Sequence, residues 1–199
     1  MRTSKRCFDF VAAAIGIVLL SPLFILVALL IKASSPGPIF FKQERVGYKG
    51  RPFLIWKFRT MVRGAESLGG SLTVGNDPRI TRIGGWLRKT KLDELPQLFN
   101  VLTGEMSLAG PRPEVERYVK LYTEAQRKVL DLMPGITDPA SIHFKRESQL
   151  LGEATQPEQT YINSVMPEKI RLNLEYARRA NFWSDFGVIL RTLGAIFRV

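Results

Sequence analysis

The chain has 199 residues, 45% of them hydrophobic, with 29 Lys and Arg against 18 Asp and Glu. That is enough for one domain with a buried core, and too hydrophobic for a disordered chain. The net charge of +11 points to an anionic partner: nucleic acid, an acidic lipid surface or a phosphorylated substrate. A lone Cys7 excludes an internal disulfide framework and suits a reducing compartment, and a lone His143 excludes a histidine-rich metal site.

The first element is Val11 to Ile31, 21 residues without a charge. At about 1.5 Å per residue such a helix just spans a hydrocarbon core of about 30 Å. It is too long for a signal-peptide apolar region, and Lys32 and a Pro/Gly turn follow it where a cleavage site would stand. Ser21-Pro22 sits in its middle, where proline removes a backbone bond and bends the helix. Both flanks are basic: Arg2, Lys5 and Arg6 before, Lys32, Lys42, Arg45, Lys49 and Arg51 after. Basic flanks favour the cytoplasmic side, and here both do. A re-entrant hairpin satisfies both features; a kinked spanning helix remains the alternative.

Ser34-Ser35-Pro36-Gly37-Pro38 ends this element. A short strand is expected at Ile39–Phe41, a turn over 43–52, and a strand over Phe53–Met61. Alternation places Lys57 and Arg59 on one face of that strand, where they can meet one anion or simply point into solvent. Arg63 to Thr73 reads as a mobile Gly/Ser-rich loop and Asn76-Asp77-Pro78-Arg79 as a turn. Ile80 to Arg88 is a basic amphipathic piece.

Next comes a helix carrying Leu92, Leu95, Pro96, Phe99 and Leu102 on one stripe, with Asp93 and Gln97 opposite. Thr90 is placed to cap it, and Pro96 confines Asp93 and Glu94 to its first turn. Acidic residues there are commonly structural, favoured by the helix dipole. Among Arg88, Lys89 and Lys91 a second reading opens. A carboxylate can be a nucleophile toward phosphorus, its neighbour can hold Mg²⁺, and the cations can neutralise phosphate oxygens. Arg112, between two prolines, offers a planar fork suited to phosphate. Beyond it, 113–132 reads as one charged helix, 149–157 as a polar loop and 167–180 as a helix. Phe182, Trp183, Phe186, Ile189, Leu190, Leu193, Ile196 and Phe197 then recur at helical spacing, fitting either a core helix or one in the headgroup layer. No second domain is expected.

Lys57-Phe58-Arg59-Thr60-Met61, Arg79-Ile80-Thr81-Arg82, the run Leu92 to Val101, Met106 to Pro113 and Pro134-Gly135-Ile136-Thr137 resemble the bacterial sugar transferase family, the monotopic phosphoglycosyl transferases. The resemblance runs from the hydrophobic segment to the C-terminus. It implies a mostly helical α/β monotopic membrane protein. A re-entrant helix-break-helix would occupy 1–34, with the break at Ser21 and Pro22. A compact cytoplasmic domain with a small sheet and amphipathic surface helices would occupy 35–199. It implies transfer of a sugar-1-phosphate from a nucleotide sugar, usually a UDP-sugar, to polyprenyl phosphate, the opening membrane step of glycan assembly. Asp93 would be the nucleophile, Glu94 the Mg²⁺ ligand, and Arg88 and Arg112 catalytic cations. Lys57, Arg59, Thr60, Arg82 and Gln97 would bind substrate. The expected site is the cytoplasmic face of the bacterial inner membrane, with both termini cytoplasmic, anionic lipids as partners, nucleic acid set aside and a homodimer weakly favoured. Asp138-Pro139-Ala140-Ser141-Ile142 departs from the Gly-x-x-Gln-Val continuation of many members, which leaves the sugar open.

Two competitors stand beside this reading. A membrane-anchored binding protein would keep its function in Asp93→Asn. A single-span protein with an external domain would place its ends on opposite faces of the bilayer.

Overall fold

The structure, a computed structural model, describes residues 3–65, 68, 72–73 and 77–197. Much of the expected 63–73 loop, Asn76, Arg2, Arg198 and the side chains of Leu193, Ile196 and Phe197 lie outside that set.

The N-terminal run forms one helix, α1 (Thr3–Ser34), of 32 residues. Its backbone stays helical through Ser21-Pro22 and does not divide into two helices there. The local chemistry explains this. Pro22 has no N–H to give to the Val18 carbonyl, and the Ser21 hydroxyl donates to that same carbonyl at 2.8 Å. One face of α1 is packed on the rest of the chain. Ala13 sits with Ile55, Leu98, Val101 and Met106; Val27 and Ile31 sit with Phe58 and Leu87. The other face exposes Phe10, Val11, Ile15, Val18, Leu19, Ile25, Leu26 and Leu29. Eight such side chains, each half or more exposed, favour an apolar medium over water by about 1 kcal/mol apiece. By length and composition α1 can cross a membrane.

β1 (Phe40–Val46) pairs antiparallel with β2 (Pro52–Phe58), Phe40 opposite Phe58 and Val46 opposite Pro52. The first strand runs further than expected because Gln43, Glu44 and Arg45 join the ladder, and the turn is confined to Gly47–Arg51. β2 stops at Phe58, because Arg59 and Thr60 leave the ladder for other partners. The Arg59 guanidinium donates to the carbonyls of Ser35 (2.7 Å) and Pro36 (2.9 Å) and to the Ser35 hydroxyl (2.9 Å), closing the C-terminal end of α1. It also reaches the Ile31 carbonyl in the last turn of α1 at 3.4 Å, at the negative end of the helix dipole. Arg59→Ala is therefore expected to destabilise the protein by about 2–3 kcal/mol, read as a lower Tm in detergent.

α2 (Arg82–Lys89) starts at Thr81, whose hydroxyl accepts from Gly84 N at 2.9 Å. Gly84 lies against the Thr60 backbone; a Cβ there would come within 1.9 Å of the Thr60 oxygen. Thr90 does not cap the following helix. Its hydroxyl turns back to the Trp86 and Leu87 carbonyls and closes α2 instead. Lys91 takes a left-handed conformation (φ 57°), and the chain restarts as a 3₁₀ turn, Leu92–Glu94. Asp93 and Glu94 thus occupy their own turn, with Pro96 just ahead of α3 (Gln97–Thr103). Asn100 locks α3 to β2. Its side chain accepts from Trp56 N at 3.0 Å and donates to Leu54 O at 2.8 Å.

β3 (Ser107–Ala109) pairs parallel with β4 (Gly135–Thr137). The backbones just after β3 and at the start of β4 touch at Gly110 and Gly135, where an added Cβ would meet the opposing main chain at 2.2 and 2.1 Å. This contact needs the glycine of Gly-Pro-Arg-Pro and the glycine of Pro-Gly-Ile-Thr together. Between them the expected single helix is broken into α4 (Glu116–Val119), α5 (Glu124–Arg127) and a 3₁₀ turn. Thr123 and Gln126 form a capping box that starts a new helix. Further on are α6 (Pro139–His143), α7 (Glu147–Glu153, where a polar loop was expected), α8 (Pro157–Thr160), α9 (Met166–Arg179) and α10 (Phe182–Phe197). α4 to α9 surround a second core built on Tyr118, Tyr161, Val165, Met166 and Ile170. Val188 is buried, while Phe182, Trp183, Phe186 and Leu190 are exposed. The fold is mostly helical with small sheets, as expected.

Candidate active site

A cleft of about 2040 Å³ opens between the α2–α3 region and the second core. Its wall includes Lys57, Arg88, Asp93, Glu94 and Arg112. Four segments bring these together: β2 supplies Lys57, α2 Arg88, the 3₁₀ turn the two acids, and the loop after β3 supplies Arg112.

The two carboxylates have unlike surroundings. Glu94 is gripped by Arg112, whose Nη1 donates to Oε2 at 2.8 Å while Nη2 donates to Oε1. Lys57 Nζ stands 3.8 Å from Oε1. Burial opposes ionisation of Glu94, but Arg112 and Lys57 outweigh it and hold its carboxyl well below the usual range. Glu94 in turn pushes the Arg112 guanidinium up. Asp93 is as deeply buried, 6% exposed, yet its Oδ1 has no hydrogen-bond partner. Burial first, and the Glu94 charge second, raise its carboxyl to about 6. Burial likewise pulls the Lys57 ammonium down to about 8. The site therefore holds one carboxylate gripped by a guanidinium fork and one, Asp93, that has no donor at Oδ1 and faces the charges of Lys57, Lys91 and Arg88. Such a split between neighbouring acids separates their roles.

Of the other expected site residues, Arg82 is exposed on the cleft rim. Thr60 is buried, and its hydroxyl accepts from Arg88 Nε at 3.0 Å, so it orients a cation of the site. Arg59 also lines the cleft, while its Nη1 and Nη2 donate to the Pro36 and Ser35 carbonyls just past α1. Gln97 is 1% exposed and forms no part of the cleft wall, so it cannot touch substrate from where it stands. Ser21 and Pro22 lie mid-α1, where the backbone stays helical.

Sequence reasoning missed three supports. Asp9, buried in α1, accepts from Ser107 Oγ at 2.7 Å and from Leu108 N at 3.3 Å, pinning the helix to β3, just ahead of Arg112. An acid at the edge of an apolar run was the available signal. Lys5 Nζ pairs with Asp185 at 2.5 Å and so ties the start of α1 to α10. Arg45 and Tyr161 both donate to Glu114, two residues past Arg112.

No cluster of three or more His, Cys, Asp or Glu stands ready for a metal among the described residues. The pair does suit Mg²⁺, which takes one or two carboxylates and fills its other positions with water and phosphate oxygens. Asp93 Oδ1 is an orphaned oxygen, and each Glu94 oxygen keeps a second lone pair beside its bond to Arg112.

Two buried carboxylates in a cationic cleft, beside a helix long and apolar enough to cross a membrane, suggest a class: a membrane-associated protein. The particular family follows from comparison. The family model described as bacterial sugar transferase matches residues 1–199, and the chain belongs to that family. It is 42% identical over 208 residues to exopolysaccharide production protein ExoY of Sinorhizobium fredii (strain NBRC 101917 / NGR234), covering 97% of this chain and 85% of that one. It is 37% identical over 195 residues to UDP-glucose:undecaprenyl-phosphate glucose-1-phosphate transferase of Escherichia coli (strain K12), covering 96% and 40%. It is 38% identical over 198 residues to UDP-N-acetylgalactosamine-undecaprenyl-phosphate N-acetylgalactosaminephosphotransferase of Aeromonas hydrophila, covering 96% and 43%. The chain thus spans about two fifths of the last two relatives.

Proposed function

We propose that this protein transfers a sugar-1-phosphate from a UDP-sugar to polyprenyl phosphate through a covalent intermediate on Asp93. The observation that carries the reading is the contrast within the acidic pair. Glu94 is held by Arg112 and Lys57, while Asp93 is buried with no hydrogen-bond donor to its Oδ1.

In the first step an Asp93 oxygen bonds to the sugar-side phosphorus. The bond from that phosphorus to the UMP oxygen breaks, and the electron pair leaves with UMP. In the second step an oxygen of polyprenyl phosphate bonds to the same phosphorus. The Asp93 carboxylate leaves with its electron pair, releasing polyprenyl-diphosphate-sugar. Lys57, Arg88 and Arg112 face the charge on the phosphoryl oxygens, with Thr60 holding Arg88 in place. Asp93 and Glu94 are the residues that would hold Mg²⁺. When bound, the ion neutralises phosphate charge beside the nucleophile.

The membrane arrangement follows from how α1 is held. Its start is tied to α10 through Lys5, its end to β2 through Arg59, and its length between Ala13 and Ile31 to the core. A helix gripped by one globular body at both ends cannot deliver those ends to opposite sides of a bilayer of about 30 Å. The protein is read as monotopic, with α1 lying along the cytoplasmic face and the exposed sides of α1 and α10 in lipid. This brings a water-soluble donor and a lipid acceptor to one cleft.

The test is UMP release from a panel of UDP-sugars with polyprenyl phosphate and Mg²⁺. The donor-side kcat/KM is expected to be bell-shaped. It is lost as pH falls through about 6, where Asp93 takes a proton, and as pH rises through about 8, where Lys57 loses one. No UMP release from any UDP-sugar contradicts the proposal.

A further inference from the structure

Arg112 stands between two prolines, which have no N–H to give. At both positions the only backbone group left to hold is the carbonyl. The Pro111 carbonyl accepts from Gly135 N at 3.0 Å. The Pro113 carbonyl, one residue past Arg112, accepts from a side chain, Arg45 Nη1, at 3.2 Å. The same Nη1 donates to Glu114 Oε1 at 3.3 Å, and Arg45 Nη2 donates to Gln43 Oε1 at 2.7 Å. Val46, next to Arg45 on β1, donates its N–H to the Glu114 carbonyl at 2.8 Å. Glu114 is also held from the second core. Its Oε2 accepts from the hydroxyl of Tyr161, which is 3% exposed and packs its ring on Tyr118 at 5.0 Å. A chain of contacts thus runs from β1 through Arg45 and Glu114 to Tyr161, and all three residues line the cleft that holds Asp93.

Packing alone does not call for this. Arg45 Nε is buried without a partner, and a buried ion pair is often no better for stability than apolar side chains of its size. What a guanidinium supplies and an apolar side chain cannot is a donor to the Pro113 carbonyl. We propose that Arg45 is a positioning residue for Arg112. Holding the Pro113 carbonyl, and braced by Glu114 and Tyr161, it sets where the Arg112 fork stands against Glu94 and the transferred phosphoryl group. This rests on the phosphoryl-transfer reading above. Arg45 acts through the loop and not on the phosphorus. A planar fork placed for two bonds loses more from a small shift than a point charge does.

The test is kcat and KM for UMP release by Arg45→Met in two backgrounds. One is the wild-type chain; the other is Arg112→Lys, whose cation is a point charge on a flexible stem. With Arg112 present, kcat is expected to fall about tenfold, with KM for the UDP-sugar within about twofold. In Arg112→Lys the same change is expected to alter kcat by less than about twofold, because no fork is left to place. Arg45→Lys, which keeps a donor for the carbonyl, should recover part of the rate. A lower Tm with kcat preserved marks a merely structural residue and overturns the assignment. An equal loss in both backgrounds also overturns it, as does a loss confined to KM. If Arg45→Met does not fold, Tyr161→Phe is measured instead, which removes one hydroxyl from the brace and keeps the ring. Its kcat is expected to fall about threefold, again only with Arg112 present, and no fall overturns the proposal. A wild-type protein that releases no UMP from any UDP-sugar defeats the phosphoryl-transfer reading and the role of Arg45 with it. An active wild type matched by Arg45→Met defeats the role of Arg45 alone.

Discussion

Asp93→Asn is expected to abolish UMP release, by about a thousandfold or more, while leaving a protein more stable than wild type. The two effects share a cause. Asp93 is buried, its Oδ1 has no donor, and its carboxyl sits at about 6 rather than near 4. A folded-state pKa raised above the unfolded one means that the native state binds the proton more tightly. Stability therefore falls as pH rises through the window from about 4 to 6, and the deficit persists at neutral pH. Removing the charge recovers part of it, on the order of 1–3 kcal/mol, visible as a higher Tm at pH 7.5 and little change at pH 4. Asparagine keeps the shape but cannot be the nucleophile. The binding-protein alternative expects function to survive the substitution. A purely structural acidic cap expects Tm to fall.

Arg112→Ala is expected to act in the opposite sense on stability. Wild-type Glu94 is matched by a two-bond fork from Arg112 and a more distant Lys57. Without the fork a buried carboxylate is left with one partner, which costs about 3 kcal/mol or more. Glu94 then titrates upward toward neutrality, and the two acids no longer differ. Activity should fall at least about a hundredfold, since a phosphate-facing cation and the asymmetry of the pair go together. Arg112→Lys restores charge but not the fork, and is expected to recover stability only partly. Equal Tm values for wild type and Arg112→Ala would show that the pair contributes nothing to the fold.

Several features were legible in the sequence for identifiable reasons. The apolar run, the acidic pair among cations and the Gly-Pro-Arg-Pro turn are strong local signals, and the structure gathers Lys57, Arg88, Asp93, Glu94 and Arg112 in one cleft. Other features turned on partners that spacing alone does not show. Pro22 predicts a break from backbone chemistry, but a serine one residue earlier meets the stranded Val18 carbonyl and the backbone stays helical. Arg59 alternates with Lys57 along β2, yet the end of α1 captures it. Thr90 has the spacing of a cap and closes the preceding helix instead, because Lys91 reverses the chain. The break in 113–132 was visible in principle. Thr123 and Gln126 have capping-box spacing inside what looks like one amphipathic run. Gln97 is the instructive case. The resemblance implies a substrate contact, and only the structure shows its side chain buried outside the cleft wall.

The central claim is that Asp93 carries the phosphosugar between donor and acceptor. The direct measurement is mass spectrometry of protein incubated with the UDP-sugar that supports turnover, without polyprenyl phosphate, quenched and digested. The peptide containing Asp93 is predicted to gain the mass of one sugar phosphate. Adding polyprenyl phosphate should remove it, and Asp93→Asn should never acquire it. A protein that turns over with no adduct on that peptide, or with the adduct on another residue, contradicts the account.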